Sequence, residues 1–415
     1  MGPSNDDIGV EQGGINSSDL YKLYNNRQLQ DAQESGIGVN MESCTVAAVG
    51  QADDVLLASN DIYELRLLCH LAEVYCKKHN VALEPKKTKL VPFSRREQSL
   101  LVKHAEATND VSINGVKVPF SENMDHVGVI RDKDGNMPHV LNRIAQHKKA
   151  IASVLFTGSA KSHRANPAAS LRLHTLYCTP VLLSGISSLV LTKSELKALD
   201  HHYTTTLQRL QRLYDKTPRA FIHFLAGSLP LTALIEMRRM SLFHMICLKP
   251  NSPLYLHAKH ILPFEPHGSR SWFLLIKDIC RKYKLDPPLS IMSNPGKKQY
   301  FKKLVKLKVC EYWQRQFAEE CTQLSSLKNF DPSRASLLVL HPIWRLTGNC
   351  SYEVNKSIIA AKILSGRYRT EALSRHWSGN IGGYCAMSTC DKVVGDLEHL
   401  LLACPALEET RVEAA

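Results

Sequence analysis

The sequence predicts an α+β N-terminal third, a mainly α-helical remainder and a small C-terminal metal-binding module. Three observations carry that prediction. Two short apolar runs, TVAAVG (Thr45 to Gly50) and VLLAS (Val55 to Ser59), flank the carboxylate pair Asp53-Asp54 and lead into a helical pattern, as in a hairpin joined to a helix. From Pro138 onward, stretches such as VLNRIAQHKKAIASVLF and SELKALDHHYTTTLQRLQRLY repeat their apolar positions with helical period. Near the C-terminus, Cys385, Cys390, His399 and Cys404 follow the spacing C-x4-C-x8-H-x4-C, soft ligands of the kind tetrahedral zinc takes.

Taken in order, the first element is the hairpin around Asp53 and Asp54. Adjacent carboxylates repel unless a cation or a proton intervenes, so one reading of GQADDVLLASND is a metal-holding hairpin. The other is a solvated turn, where Asp is common. The helix after it, Asp61 to Asn80, opens on the cap-like pair Asn60-Asp61 and places Leu65, Leu68, Ala72 and Tyr75 on one face. It ends in Lys77, Lys78 and His79, cations suited to a helix C-terminus. VALEPKKTKLVPFS then reads as two short strands around a basic turn, and SINGVKVPFSENMDHVGVIRDKDG as one further hairpin closed by Gly135.

The helical region that follows is broken at Pro180, Pro218, Gly227 and Pro230, with softer boundaries near Lys249 to Tyr255 and Asn294 to Gln299. This gives four segments, residues 1–135, 136–250, 251–340 and 341–415. Within the third, KKQYFKKLVKLK (Lys297 to Lys308) interleaves lysines with Tyr300 and Phe301. It is either a phosphate-binding face with stacking rings or an amphipathic helix with solvated lysines. The C-terminal Cys/His set has a first gap wider than the commonest two-residue spacing. Zinc and a set of separate buried thiols with a surface His are both open, with His376 as an outside ligand candidate.

Composition narrows the partners. A hydrophobic fraction of 44% and a charged fraction of 22% are those of a globular protein and exclude a disordered one. Against 39 Asp and Glu stand 52 Lys and Arg, a formal charge of +13, which favours a polyanion, most often nucleic acid. No apolar run approaches the roughly 20 residues of a membrane span, and the start lacks a secretory pattern. The expectation is a soluble intracellular protein of nucleus or cytoplasm, with no membrane partner. The twelve cysteines show no paired spacing before the C-terminal set, and those in apolar stretches, such as Cys69 and Cys247, read as reduced thiols.

Upstream of the Asp pair, Ile8 to Ala32 reads IGVEQGGINSSDLYKLYNNRQLQDA, and its Gly9-Val10-Glu11-Gln12-Gly13 resembles the G-x-x-Q-G segment of reverse transcriptases. That segment, the Asp pair, a helix and a Lys-Thr turn follow one another in the family's order, a joint pattern more specific than any of its parts. ALEPKKTKLVPF resembles the family's lysine turn, and INGVKVPFSENMDHVGVIRD its primer-gripping hairpin. LRLHTLYCTPVLLSGISSLVLTKSELKALD and DLEHLLLACPAL are similar to the thumb and the C-terminal end of non-LTR retrotransposon polymerases.

The resemblance implies an RNA-directed DNA polymerase acting on RNA and DNA. It implies a partial right-hand palm in residues 1–135, a helical thumb and connection in 136–250, a basic linker in 251–340 and a CCHC zinc domain in 341–415. It assigns Asp53 to Mg²⁺ coordination and catalysis with Asp54 in support. Gln12 and Gly13 approach nucleotide or template, and Lys87 is a triphosphate contact or a solvated member of its turn. Gln51-Ala52, Glu11 and Glu84 depart from the family pattern. The family's further catalytic Asp lies on a strand well upstream of G-x-x-Q-G, and only Met1 to Asp7 precede Ile8. The expectation is therefore a truncated polymerase that binds Mg²⁺ weakly and is inactive alone. The alternative is a domesticated, non-enzymatic nucleic-acid-binding or interaction module.

Overall fold

The computed structural model describes residues 16–41, 44–51, 53–93, 111–132, 135–156, 166–264, 271–378 and 382–414. They are mostly helical, with four two-stranded antiparallel sheets, each a single hairpin. The chain divides into two compact units, each discontinuous in sequence. One comprises residues 1–142, 184–191 and 239–301, the other residues 143–183, 192–238 and 302–415.

The first unit begins with helix α1 (Ser17–Glu34), followed by a short hairpin of β1 (Val39–Asn40) and β2 (Thr45–Val46). Strands β3 (Ala48–Gln51) and β4 (Asp54–Leu57) pair from Ala48↔Leu57 to Gln51↔Asp54, so Asp53 stands in the turn. Helix α2 (Ile62–Lys78) follows. Asp61 caps it, accepting the Tyr63 N–H at 2.6 Å, and Lys77 and Lys78 close it, as its sequence predicts.

Ala32, Ala47 and Leu68 form one core between α1, the strands and α2, while Cys69, Val111, Ile113 and Val118 form a second. Leu57 packs against both, which ties the β3–β4 hairpin to the body of the unit. Gly50 lies under α1, where a side chain would meet the flexible end of Leu29, its Cδ1 at 2.9 Å. The Gln33 amide holds the strands from the same helix, accepting the Ala47 N–H at 3.3 Å and donating to the Thr45 carbonyl.

Two expectations change here. SINGVK…DKDG forms two hairpins, β5 (Ser112–Ile113) with β6 (Val116–Lys117) and β7 (Asn123–His126) with β8 (Val129–Asp132). Asn114 and Gly115 both have positive φ, 52° and 75°, which suits a tight two-residue turn, and Pro119 has no N–H with which to extend the first ladder. The segment from Val81 to Phe93 forms no paired strands beyond an isolated bridge between Leu90 and Phe120. Glu84 instead organises its basic turn, its carbonyl accepting Lys87 N–H at 3.2 Å and Thr88 Oγ1 at 3.1 Å.

Helix α3 (Met137–Phe156) follows β8. In the second unit, the segment Pro167–Leu173 passes through a π-turn, His174–Cys178, into Thr179–Leu182. The predicted break at Pro180 is therefore absorbed within the helix, since the wider π-turn accommodates a residue that cannot donate to the ladder. Helix α4 (Lys193–Leu210) starts in a capping box formed by Thr192 and Glu195. Pro218 and Gly227 bound α5 (Arg219–Ala226). The fully buried Trp344 donates its indole N–H to Gln211 Oε1 at 2.9 Å, and the Gln211 amide donates to the Leu207 and Ile222 carbonyls, both at 3.1 Å. Every polar atom of that buried pair thus has a partner, as a low-dielectric interior requires.

Three histidines from separate helices meet in this unit. His147 Nδ1 lies 2.9 Å from His202 Nε2, and His147 Nε2 lies 3.0 Å from His174 Nε2. His147 and His174 are fully buried, and His174 Nδ1 is buried with no partner. We assign the tautomers that leave this last atom a bare acceptor, because an orphaned N–H is the costlier alternative. His174 then donates to His147, and His147 to His202. Burial first, and then the neighbouring rings, push His147 down to about 3, while burial, then His202, pushes His174 down to about 4. His202 is held down at about 4 by burial, Lys148, Arg209 and His201.

Among the described residues no single helix is long and apolar enough to cross a membrane. None of the twelve cysteines is in a disulfide, and burial raises the thiols of Cys69 and Cys247 to about 11 and about 12, making them inert packing groups at neutral pH.

Candidate metal centre

The C-terminal centre is built on a short hairpin and two turns. Helix α6 (Lys298–Gln323) and helix α7 (Ser351–Leu364) lead to helix α8 (Glu371–Ser378). The long helix Leu231–Cys247, between α5 and α6 in sequence, carries no site residue. The Ala372 N–H donates to the Gly395 carbonyl at 3.1 Å. A side chain at Gly395 would meet Glu371 Oε2 at 2.9 Å and the Cys385 nitrogen at 3.0 Å, so glycine permits α8 to lie against the hairpin. Tyr384 and Val394 form its antiparallel bridge, flanked by Cys385 N–H to Val393 O at 2.8 Å and Gly395 N–H to Gly383 O at 3.0 Å. A turn closed by Cys390 N–H to Met387 O at 3.0 Å returns the second cysteine toward the first.

The other two ligands come from a π-turn, His399–Ala403. In an α-helix, residues five apart diverge by about 140° around the axis. The π-turn closes a wider ring, with Cys404 N–H donating to His399 O at 2.7 Å, and this brings His399 and Cys404 to one side. The spacing EHLLLAC reads as a helical turn, but helical period does not reveal that the turn is π. Asp396 starts it by accepting the His399 N–H at 2.8 Å, and Arg411 Nη2 holds the Cys404 carbonyl at 2.7 Å.

Cys385, Cys390, His399 and Cys404 converge with one ligand atom each, all within 4.8 Å of one another. The Sγ atoms of Cys390 and Cys404 are 3.6 Å apart and those of Cys385 and Cys404 are 4.0 Å apart. These separations are far beyond a disulfide bond and straddle the roughly 3.8 Å between sulfurs of a tetrahedral site with Zn–S near 2.3 Å. His399 Nε2 is buried with no hydrogen-bond partner, an orphan that a metal ion would satisfy. Burial, reinforced by Cys404 and Cys385, pushes the Cys390 thiol up to about 11. At Cys404 burial acts upward too, but hydrogen bonds from Cys390 and from the backbone near Ala406 outweigh it and the thiol is lowered. The group can hold a tetrahedral metal ion such as zinc, and it is the one such group of three or more ligand side chains found among the described residues.

The other site candidates fare differently. Asp53 and Asp54 are both exposed at the β3–β4 turn. Asp53 lies near Tyr21, whose phenol is raised by burial and next by that carboxylate. No third carboxylate or imidazole joins the pair in a metal-sized group among the described residues, so the Mg²⁺ assignment rests on resemblance alone. Lys87 is exposed on its turn. Gln12, Gly13 and the side chain of His376 lie outside the described residues. Sequence reasoning missed the His147–His174–His202 cluster, which has no local motif because its members are 27 and 55 residues from His147. No protein-family model matches the chain, and no curated protein matches it significantly.

Proposed function

We propose that the chain is a nucleic-acid-binding relative of non-LTR retrotransposon reverse transcriptases, that its C-terminal module folds around zinc, and that alone it does not extend a primer. The observation that carries the polymerase kinship is the position of Asp53. It occupies the turn of an antiparallel hairpin that lies between α1 and α2 in sequence, in the order expected of G-x-x-Q-G, acidic hairpin, helix and lysine turn. The excess of Lys and Arg supports a polyanionic partner. Lys302, Lys303 and Lys306 stand exposed on α6, free to meet phosphates.

Nucleotide addition uses two cations about 3.5 to 4 Å apart, held by several carboxylates. With no third carboxylate beside them among the described residues, Asp53 and Asp54 give Mg²⁺ a weak, largely hydrated site. The same observation favours the second reading, a recruited non-enzymatic module. On a primed RNA template with Mg²⁺ or Mn²⁺, the chain and its Asp53→Asn variant are both expected to leave the primer unextended. Robust extension that disappears in Asp53→Asn would instead establish an active polymerase.

Binding of a labelled RNA or DNA oligonucleotide tests the broader reading. Affinity is expected to fall at least about tenfold between about 50 and 200 mM salt, as counterions released from phosphates become harder to displace. An affinity that stays constant over that range counts against nucleic acid as the partner.

A further inference from the structure

The four ligand side chains of the metal centre are unequally shielded. Cys404 is fully buried and Cys390 and His399 are each 8% exposed, whereas Cys385 is partly exposed. Its neighbours Tyr384 and Ala386 are exposed as well, so a small neutral solute approaches the centre from the side of Cys385. A cysteine that holds a metal ion is a thiolate, and the thiolate is the form that oxidants attack.

A second sulfur stands beside it. Cys404 Sγ lies 4.0 Å from Cys385 Sγ and 3.6 Å from Cys390 Sγ, so it touches both of the other cysteines. A disulfide with Cys385 needs the two sulfurs to close to about 2.05 Å, a shift of roughly 2 Å. Cys385 and Cys404 come from separate pieces of chain, the hairpin strand and the end of the π-turn, and each can turn toward the other. Cys385 and Cys390 are instead joined through the tight turn in which Cys390 N–H donates to Met387 O at 3.0 Å. An accessible thiolate next to a resolving one is the arrangement that makes cysteines redox-sensitive.

We propose that Cys385 is a site of reversible oxidation by peroxide, with Cys404 as the resolving cysteine, and that the disulfide they form releases the zinc. In the first step the Cys385 sulfur attacks one oxygen of hydrogen peroxide. The O–O bond breaks, hydroxide leaves, and the sulfur becomes a sulfenic acid. In the second step the Cys404 thiolate attacks that sulfur, the S–O bond breaks and a second hydroxide leaves. Two protons from solvent turn the hydroxides into water, so two thiolates have lost two electrons to one peroxide. Cys390 and His399 remain, two ligands where a structural zinc needs four. A dithiol reductant reverses the change by exchange with the disulfide. The proposal rests on the zinc-bound module of the preceding reading, and zinc content is measured before any oxidant is added so that the two fail separately.

The test treats the full zinc-loaded chain with excess hydrogen peroxide and follows released zinc with a chromogenic chelator. Peptide mass spectrometry, after free thiols are blocked, identifies the linkage. Release of one zinc per chain is expected, with Cys385 joined to Cys404, and dithiothreitol with added zinc should restore the starting state. Dimedone present during oxidation should label Cys385 ahead of Cys390 and Cys404. Cys385→Ser is expected to slow release at least tenfold. Cys350→Ser removes a fully exposed thiol outside the ligand set and should leave the rate unchanged. Should Cys385→Ser hold too little zinc to assay, the linkage and the dimedone label in the unmodified chain still decide. Zinc retained under excess peroxide overturns the proposal. So does a Cys390–Cys404 linkage, or a first label on either of those two residues. A chain that holds no zinc before oxidation overturns the zinc reading itself.

Discussion

Replacing Cys404 or His399, or stripping the metal with a chelator, is expected to unfold residues 382–414 while the helical remainder stays folded. The reason lies in what this module buries. Among its described residues only Cys390, Gly395, His399 and Cys404 are buried, so the ligand set is itself the core. Of its leucines, Leu397, Leu400 and Leu407 are no more than half-buried, so without metal the module has little to offset the entropy of ordering its chain. Structural zinc supplies on the order of 10 kcal/mol or more of apparent binding free energy in modules of this size, and that energy becomes folding energy when the site does not preexist.

Prepared without chelator, the protein is expected to carry one zinc per chain by metal analysis. Cys404→Ser and His399→Ala should abolish it, and Cys385→Ser should do less damage, because Cys385 is only half-buried. Hydrogen exchange reads the structural consequence, with the amides of Cys385, Gly395 and Cys404 losing protection while those of α4 and α5 keep it. Chelated, zinc-free protein in which those three amides remain protected would show a module that stands without its metal.

The contrast between this centre and the N-terminal hairpin shows what a sequence carries and what it does not. The start and stop of α2 were readable because Asp61, Lys77 and Lys78 act within a turn of the helix they bound. The C-x4-C-x8-H-x4-C spacing was readable because all four ligands fall in one short segment. Whether its ligands converge was not, since that depends on the π-turn, and apolar periodicity looks the same whether a helix closes four residues back or five. The strands expected around Lys87 failed to pair for a related reason. Pro85 and Pro92 remove ladder donors, and Glu84 offers its carbonyl to the turn instead. The exposed Asp53-Asp54 pair, read either as a metal holder or a solvated turn, has the hairpin position of the first reading and, among the described residues, no third ligand.

Lowering the pH from 7 to 5 is expected to destabilise the second unit by at least about 3 kcal/mol, through His147, His174 and His202. In the unfolded chain each ring protonates near 6.5, whereas in the folded chain the three are held down to about 3, about 4 and about 4. Between those values the unfolded state binds more protons than the folded one. Stability is therefore complete above about pH 6.5 and drains away as pH falls toward 4. The cause is visible in the hydrogen bonds. A proton added to His147 or His202 sets two donors against each other across one of the two N···N contacts, 3.0 and 2.9 Å long, one added to His174 leaves a buried Nδ1–H without an acceptor, and each leaves a charge in a low-dielectric interior. Each fully buried ring contributes about 2 kcal/mol over this range, and the half-buried His202 less because solvent screens it. Urea unfolding at pH 7 and pH 5, followed by a probe in the second unit such as Trp344 fluorescence, measures the difference. His147→Leu should lower stability at pH 7, because it strands the other two rings, and should flatten the dependence on pH, because the stranded rings can then take up protons in the folded state. Equal urea midpoints at the two pH values in the unmodified chain would mean that the three rings do not form the neutral chain described for them.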